Sequence, residues 1–227
     1  AKYSVMKQLK GNLYIITAAS GAGKTSLVKA LLKDKSTLRA SVSYTTRLPR
    51  ESEVDGQDYF FVTHDDFKRM QANNLFLETA KCHGHMYGTS KQNVQTILES
   101  GKDIILEIDW QGALSIKKLF PDSISIFVLP PSIEALLDRL NARNEDSQEV
   151  IKARMEAAQA EMQHMDKFDY VTINDDFDDT VSTISETEFK DKVSFGKNVL
   201  IGKNVSIGKN CKIGHNTIIE KNVIIGD

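Results

Sequence analysis

Apolar runs suited to β-strands alternate with helical patterns up to about residue 185. Residues 12–18 are apolar and rich in β-branched side chains, and after a turn of small residues come leucines and a valine at helical spacing within residues 25–33. Residues 104–108 and 123–129 are similar short apolar runs, of the kind that forms buried parallel strands. Strands that alternate with helices in this way predict an α/β fold with a parallel sheet.

Polar residues that can cap a helix stand between these runs. A Ser or Thr side chain at such a position accepts a hydrogen bond from the exposed backbone N–H groups of the first turn. Thr63 followed by Asp66 forms a capping box, and Ser90, Ser132 and Ser147 each precede a helical pattern. The predicted helices are residues 64–70, 91–98, 133–143 and 148 to about 164.

A six-residue repeat replaces this pattern from about residue 193. No α-helix repeats every six residues, whereas a short strand followed by a tight corner can, and the Gly and Asn of each unit tolerate the positive φ that a corner requires. The repeat therefore predicts a short parallel β-helix with three hexads to a coil. Its large apolar positions are Phe195, Ile201, Ile207, Ile213, Ile219 and Ile225.

Composition narrows the classes of partner. The 227 residues carry a formal net charge of −2 and are 41% hydrophobic, so no basic field attracts nucleic acid or an anionic membrane. No apolar run approaches the length of about 20 residues that spans a bilayer. Two lone cysteines, Cys82 and Cys211, are typical of reduced thiols more than of a disulfide framework. We expect a cytoplasmic protein with neither nucleic-acid nor membrane partners.

The turn after the first predicted strand matches a phosphate-binding loop. Residues 18–25 read AASGAGKT, with Ala18 where the first glycine of the pattern often stands. Small residues let backbone N–H groups curl around phosphate oxygens, while Lys24 reaches the β- and γ-phosphates and the Thr25 hydroxyl binds Mg²⁺. The alternative is a glycine-rich turn with a solvated lysine. The predicted ATP-binding residues are Ala19, Ser20, Gly21, Ala22, Gly23, Lys24, Thr25 and Ser26.

Residues 11–184 resemble the guanylate kinases through a series of segments in the family's order. These are SVSYTTRLPR at 41–50, GQDYFFV at 56–62, FLE at 76–78, YGTS at 87–90, LEIDWQG at 106–112, PPS at 130–132, RLNAR at 139–143 and NDD at 174–176. The resemblance implies a P-loop nucleoside-monophosphate kinase fold and ATP-dependent phosphorylation of GMP, and of dGMP, with Mg²⁺ as cofactor. It also implies a GMP-binding part at about 41–90 and a lid at about 139–154, after an N-terminal extension at 1–10.

Carried over from the family, the GMP site divides between the phosphate and the base. The phosphate would be bound by Arg47, Arg50, Tyr59 and Tyr87. The base would be bound by Glu78, Ser43 and Thr89. Guanidinium forks and phenols suit a phosphate dianion, and one carboxylate can accept from both N1–H and N2–H₂ of guanine, which adenine lacks. Taken alone, the two arginines would be a solvated surface pair and Glu78 an exposed strand residue.

Two acids and three arginines complete the set that the resemblance implies. Glu107 and Asp109 end an apolar strand run, near Mg²⁺ and the acceptor in the family, with Asp109 as a metal ligand. Arg139, Arg143 and Arg154 would belong to the lid and act in catalysis together with Lys24 and Arg47. An exposed helix with ordinary salt bridges is the alternative for the three lid arginines.

The chain departs from the family after the NDD segment. Residues 177–184 begin the helix that normally follows, but the pattern then fails, and residues 185–227 are similar to the left-handed β-helix of UDP-3-O-acylglucosamine N-acyltransferases. We assign this tail no catalysis, and we expect it to favour trimers of the chain. The sequence leaves open whether the tail is natural, a fusion or a mis-joined reading frame. Two other functions also stay open, a guanylate-kinase-like scaffold without catalysis and a hexapeptide acyltransferase fragment.

Overall fold

The computed structural model describes residues 11–82, 84–142 and 148–186, together with the backbone of six short strands between residues 194 and 225. Up to residue 186 its elements are, in chain order, β1 (Leu13–Ala18), α1 (Lys24–Asp34), β2 (Leu38–Ala40), β3 (Tyr44–Thr45), β4 (Phe60–Phe61), α2 (His64–Ala72), β5 (Phe76–Cys82), β6 (His85–Ser90), α3 (Lys91–Glu99), β7 (Asp103–Glu107), α4 (Trp110–Leu119), β8 (Ile124–Leu129), α5 (Ile133–Asn141), α6 (Gln148–Met162), β9 (Tyr170–Ile173) and α7 (Phe177–Glu186). The predicted extension at 1–10 lies outside the described residues.

Three of the predicted helix caps are confirmed by hydrogen bonds. Thr63 Oγ1 accepts from the Asp66 N–H at 3.1 Å, and Ser90 and Ser132 accept in the same way from the third residue of their helices. The fourth predicted cap, Ser147, lies outside the described residues. Helix α5 ends at Asn141 instead of residue 143, and α6 ends at Met162 instead of about residue 164.

The chain forms two compact units, each described by itself. The first takes in the chain through Tyr14 and Thr37–Ser123. It contains the parallel pair β2–β7 and a four-stranded sheet of order β4-β3-β6-β5, in which β3–β6 and β5–β6 are antiparallel. The pattern of apolar runs predicts a parallel sheet but not this second, mixed sheet. Its strands are short, and two of them have only two residues, too few to show an alternating pattern.

The second unit takes in Ile15–Ser36 and the chain from Ile124 onward. Its strands follow the order β9-β8-β1, with β8 and β9 parallel, and helix α7 packs against α1. The prediction of an α/β fold with a parallel sheet is confirmed. The last helix continues to Glu186, past the predicted boundary after residue 184.

The repeat segment forms three parallel strand pairs. The added strands are β10 (Ser194–Phe195), β11 (Val199–Ile201), β12 (Ser206–Ile207), β13 (Lys212–Ile213), β14 (Ile218–Ile219) and β15 (Ile224–Ile225). Each pair joins residues 18 positions apart, as in Ser194↔Lys212, and this offset agrees with three hexads to a coil. Strand β11 also pairs with β9, so the first coil extends the sheet of this unit, which the sequence did not predict. The left-handed sense stays a prediction.

A membrane-spanning helix is absent from the part of the chain that the structure describes, where no helix is both long and apolar enough to cross a bilayer.

Candidate active site

In the first unit, Glu78 is a buried carboxylate held by a neighbouring strand. It lies on β5 opposite Thr89 of β6, next to an irregularity in the strand register between Phe76 and Glu78. Glu78 is 7% exposed, and its Oε1 accepts a hydrogen bond from Thr89 Oγ1 at 2.6 Å. The exposed position that Glu78 would have as an ordinary strand residue is thus ruled out. The antiparallel pairing of β5 and β6 brings together two of the three residues predicted to bind the base.

Burial changes the acidity of Glu78. Loss of hydration, helped by the nearby charge of Asp109, raises its pKa to about 7, although the hydrogen bonds from Thr89 act in the opposite direction. A carboxylate with this pKa is partly protonated at neutral pH. A ligand that donates two hydrogen bonds to it would favour its ionised form.

Gly112 makes room beside this carboxylate. Asp109 is the N-cap of α4, where its Oδ1 accepts from the Gly112 N–H at 2.8 Å and its Oδ2 accepts from Gln111 Nε2 at 3.1 Å. A Cβ atom added to Gly112 would lie 2.7 Å from Glu78 Oε2, closer than real Cβ contacts come. In the sequence, Gly112 is the last residue of the LEIDWQG motif and has no predicted role of its own. The glycine one helical turn after an acidic N-cap was the available signal.

Arg47 is fixed by a residue that the sequence analysis missed, Glu53. Its Nη1 and Nη2 donate to the two carboxylate oxygens of Glu53 at 2.9 and 2.7 Å, and Nη1 also donates to the Leu48 carbonyl at 2.8 Å. The same carboxylate accepts from the backbone N–H of Arg50 at 2.8 Å. Glu53 therefore ties together the backbone and side chain of the segment that carries both predicted phosphate-binding arginines.

Two tyrosines line the Arg47 side chain. The guanidinium lies 5.5 Å from the ring centre of Tyr59, and the rings of Tyr59 and Tyr87 are 5.9 Å apart. Hydrogen bonds to Glu53 and to Tyr87 raise the pKa of Arg47. Burial raises the pKa of Tyr59, and the carboxylate of Glu107 raises it further. Arg47, Tyr59, Tyr87 and Glu107 thus form one interacting group.

The remaining residues predicted for GMP differ in exposure. Ser43 is 7% exposed, and its carbonyl accepts from the Phe60 N–H at 2.9 Å. Arg50 contributes its backbone to the Glu53 bridge, while its side chain is exposed.

In the second unit, the predicted phosphate loop joins β1 to α1. Gly21 and Gly23 have φ values of +90° and +93°, which side chains disfavour, and the Ala22 N–H donates to the Ala19 carbonyl at 2.9 Å. Helix α1 begins after Gly23 without a side-chain cap. Its first N–H groups and positive dipole end therefore suit an anion.

Asn174 supports this loop from the segment after β9. Its Nδ2 donates to the Ala22 carbonyl at 2.8 Å, and a Cβ on Gly23 would lie 2.7 Å from the same nitrogen. The backbone carbonyl of Asn174 accepts from Arg139 Nη2 at 2.8 Å. Among the described residues, Arg139 Nη1 and Asn174 Oδ1 are buried without a hydrogen-bond partner. In the sequence, Asn174 belongs to the NDD motif and has no predicted role of its own.

The predicted lid arginines reach different parts of this unit. Arg139 contacts the Asn174 carbonyl, and Arg154 donates from Nε to Ser20 Oγ of the loop at 3.4 Å. Arg143 lies outside the described residues.

The two predicted metal ligands, Thr25 and Asp109, supply few protein oxygens to Mg²⁺ by themselves. In the described ranges no group of three or more His, Cys, Asp or Glu side chains is placed to hold a metal ion. However, Mg²⁺ in phosphoryl-transfer sites keeps waters and takes phosphate oxygens, so that one or two protein oxygens are enough. Thr25, an exposed residue next to Lys24 in the first turn of α1, carries a hydroxyl oxygen of that kind.

Comparison with known proteins decides the family. A family model described as guanylate kinase matches residues 10–190. The chain belongs to the guanylate kinase family. Among curated guanylate kinases, that of Thiobacillus denitrificans is 54% identical over 168 residues, which are 74% of this chain and 80% of the relative. That of Methylobacillus flagellatus is 56% identical over 170 residues, 75% of this chain and 84% of the relative.

A solved structure agrees with this result, and a second family model matches the tail. The crystal structure of guanylate kinase from Anaplasma phagocytophilum superposes with a TM-score of 0.66 at 32% identity, covering 77% of this chain and 82% of that one. A model described as bacterial transferase hexapeptide (six repeats) matches residues 192–227. The predictions of a guanylate kinase, which is a nucleoside-monophosphate kinase, and of a hexapeptide tail are confirmed. The acyltransferase alternative loses support, because the hexapeptide match is confined to the tail.

Proposed function

We propose that this guanylate kinase transfers the γ-phosphate of ATP to GMP, with dGMP as a second acceptor, and that Glu78 selects the base. The observation that carries this proposal is the buried Glu78 carboxylate, fixed by Thr89 and lying beside the space that Gly112 leaves open. Guanine presents N1–H and N2–H₂ side by side, and an ionised carboxylate can accept both. Adenine has no such pair, and it would leave the buried carboxylate unsatisfied.

The phosphate of the acceptor would be bound by Arg47 with Arg50, Tyr59 and Tyr87. Glu53 engages the Nη1 and Nη2 ends of the Arg47 fork, which sets the orientation of the guanidinium before a ligand arrives. Charge-assisted hydrogen bonds to a phosphate are strong when the donors are fixed in this way. Ser43 would add a polar contact to the base. Glu107, whose charge raises the pKa of Tyr59, would act through the hydroxyl of that tyrosine.

The phosphates of ATP would be bound by the loop from Ala19 to Ser26. Backbone N–H groups at the start of α1 would contact phosphate oxygens, Lys24 would reach the transferred group, and Arg139, Arg143 and Arg154 would spread its charge. Mg²⁺ would be held through Thr25 and would neutralise charge on the phosphates, and the role of Asp109 as a metal ligand stays a prediction. The accepting phosphate oxygen is already ionised near neutral pH, so no general base is required.

A coupled assay of ADP release tests this proposal. We expect rapid release with GMP, slower release with dGMP, and release with AMP no faster than without an acceptor. A chain that binds GMP without releasing ADP would be the scaffold alternative. Equal rates with GMP and AMP would contradict the role of Glu78.

The tail carries a separate proposal about assembly. Its strands pair in parallel at 18-residue intervals, and because exposed strand edges can pair with another chain, the tail would favour trimers of this chain. Light scattering coupled to gel filtration tests this, with a trimer as the expected result. A concentration-independent monomer would contradict it.

A further inference from the structure

Helix α6 holds the phosphate loop through a residue that the sequence analysis did not single out. Glu161, near the end of α6, accepts a hydrogen bond at Oε2 from the backbone N–H of Ser20 at 2.8 Å, across 141 positions of sequence. Arg154 lies about two turns earlier on the same helix face and donates to Ser20 Oγ at 3.4 Å. Helix α6 therefore holds both the backbone and the side chain of Ser20.

Apolar packing fixes the loop against the same helix. Ala19, which precedes Ser20, and Ala22, two residues after it, are 2% and 0% exposed. They belong to one buried cluster with Ile151 and Ala158 of α6 and with two leucines of α5. The loop cannot move away from Glu161 without opening this cluster, so the hydrogen bond belongs to a packed contact.

A carboxylate next to a phosphate-binding loop has an electrostatic cost. ATP brings several negative charges, and a like charge near them weakens binding. A carboxylate in this position is therefore either a competitor that the phosphates displace or a fixed support whose geometry outweighs the repulsion. The burial of Ala19 and Ala22 on α6 and the contact of Arg154 with Ser20 favour the fixed support.

We propose that Glu161 is a positioning residue of the ATP site. Its carboxylate stays on the Ser20 N–H when ATP binds, and it keeps the loop in the shape that presents the following N–H groups to the phosphates. This inference rests on the proposed use of ATP by the loop. It makes side-chain length at position 161 more important than charge, because the support requires an acceptor at the right distance from Ser20.

Two substitutions separate length from charge. Glu161→Gln keeps an acceptor oxygen at the same reach and removes the charge, whereas Glu161→Asp keeps the charge and is one methylene too short. We expect KM for ATP to stay within about threefold of wild type in the Gln variant. It should rise about tenfold in the Asp variant, because that variant loses one hydrogen bond to a charged acceptor. KM for GMP should be unchanged in both. Glu156→Gln, at an exposed position of α6, is the matched control and should change neither constant.

Direct titration of the full chain with a fluorescent ATP analogue gives the same comparison without turnover. Wild-type chain that binds the analogue but does not release ADP with GMP would defeat the proposed activity and leave the role of Glu161 measurable. A Gln variant as impaired as the Asp variant would overturn the inference, as would tighter ATP binding in either one. Equal increases in both Michaelis constants, together with a lower melting temperature, would show a purely structural residue and overturn it as well.

Discussion

The two units use opposite means to present groups to an anionic ligand. In the first unit the candidate recognition groups are side chains, each held by another side chain: Glu53 orients Arg47, and Thr89 orients Glu78. In the second unit the candidate groups are backbone N–H donors, and side chains from distant segments hold the backbone: Asn174 holds Ala22, and Glu161 holds Ser20.

The difference follows from what each ligand offers. Every nucleoside triphosphate carries similar phosphate oxygens, which backbone donors can satisfy without any choice of side chain. A purine base is distinguished by its pattern of donors and acceptors, and only a side chain of matching type can respond to it. Selectivity thus requires a buried charge, with the cost of removing it from water, and Glu78 shows that cost in its raised pKa.

Loss of Lys24 is the most severe test of the proposed ATP site in the second unit. Lys24→Ala removes the positive charge that the loop brings to the transferred phosphate, and we expect kcat to fall by about 10³-fold or more. GMP affinity, measured by calorimetry in the absence of ATP, should be unchanged, because the acceptor side does not use this residue. A large loss of GMP affinity would break the division of roles between the two units.

Replacing Glu78, the carboxylate proposed to select the base, tests the proposed GMP site of the first unit. Glu78→Gln keeps the shape of the side chain but offers one acceptor where guanine requires two, and we expect KM for GMP to rise about 100-fold with KM for ATP unchanged. Glu99→Gln, an exposed residue at the end of α3, is a matched control that should change neither constant. Wild-type KM for GMP in the Glu78 variant would refute the assignment of the base site.

The sequence predicted what depends on local pattern. Residue type and spacing alone indicate the buried strand β7, predicted at 104–108 and found at Asp103–Glu107, the caps at Thr63, Ser90 and Ser132, and the 18-residue period of the tail. The resemblance to guanylate kinases supplied Glu78 and Arg47, neither of which stands out by itself. Burial of Glu78 could not be derived locally, because it depends on the pairing of β5 with β6 and on α4 packing beside them.

The supporting residues were missed for a related physical reason. Glu53 and Glu161 are ordinary charged residues in their own segments, and they acquire a role only through partners that the fold brings close. Asn174 is separated from Ala22, and Glu161 from Ser20, by more than 140 residues. No periodicity or spacing encodes a contact of that range. Gly112 is the exception, since a glycine in the first turn of a helix is itself a local anomaly.

Removing the support at Ala22 should weaken ATP binding less than loss of Lys24. Asn174→Ala leaves the Ala22 carbonyl without its donor, so we expect KM for ATP to rise about tenfold to thirtyfold. The free energy of unfolding should fall by about 1–3 kcal/mol, the cost of an unsatisfied buried polar group. Asn141→Ala, at the exposed end of α5, is the control. Equal effects of Asn174→Ala on ATP and GMP would contradict a local role in the loop.

A methyl group at position 112 tests whether the space beside Glu78 shapes the base site. Gly112→Ala places a Cβ 2.7 Å from Glu78 Oε2, and because this atom ends a flexible side chain, the carboxylate can shift aside. We expect KM for GMP to rise about fivefold to tenfold. Stability should not fall through helix propensity, since Ala is favoured over Gly within α4. Unchanged KM for GMP in a folded variant would show that the space at Gly112 does not shape the base site.

The smallest expected effect is the pH dependence that Glu78 imposes. Its pKa is raised from the usual 4.5 to about 7, so between these values the folded protein binds more protons than the unfolded chain. The free energy of unfolding should therefore decrease as pH rises through this window, with the full penalty present above about pH 7.

GMP needs the ionised form, so its KM should fall about fourfold between pH 6.5 and pH 8, the ratio expected for one group titrating near 7. Glu78→Gln should abolish both trends and be more stable than wild type at pH 8. The acceptor phosphate titrates near pH 6, so any slope left in that variant should lie below pH 6.5. A pH profile of KM for GMP that is identical in wild type and variant would place the titrating group elsewhere, and chemical denaturation at pH 5 and pH 8 provides the independent check on stability.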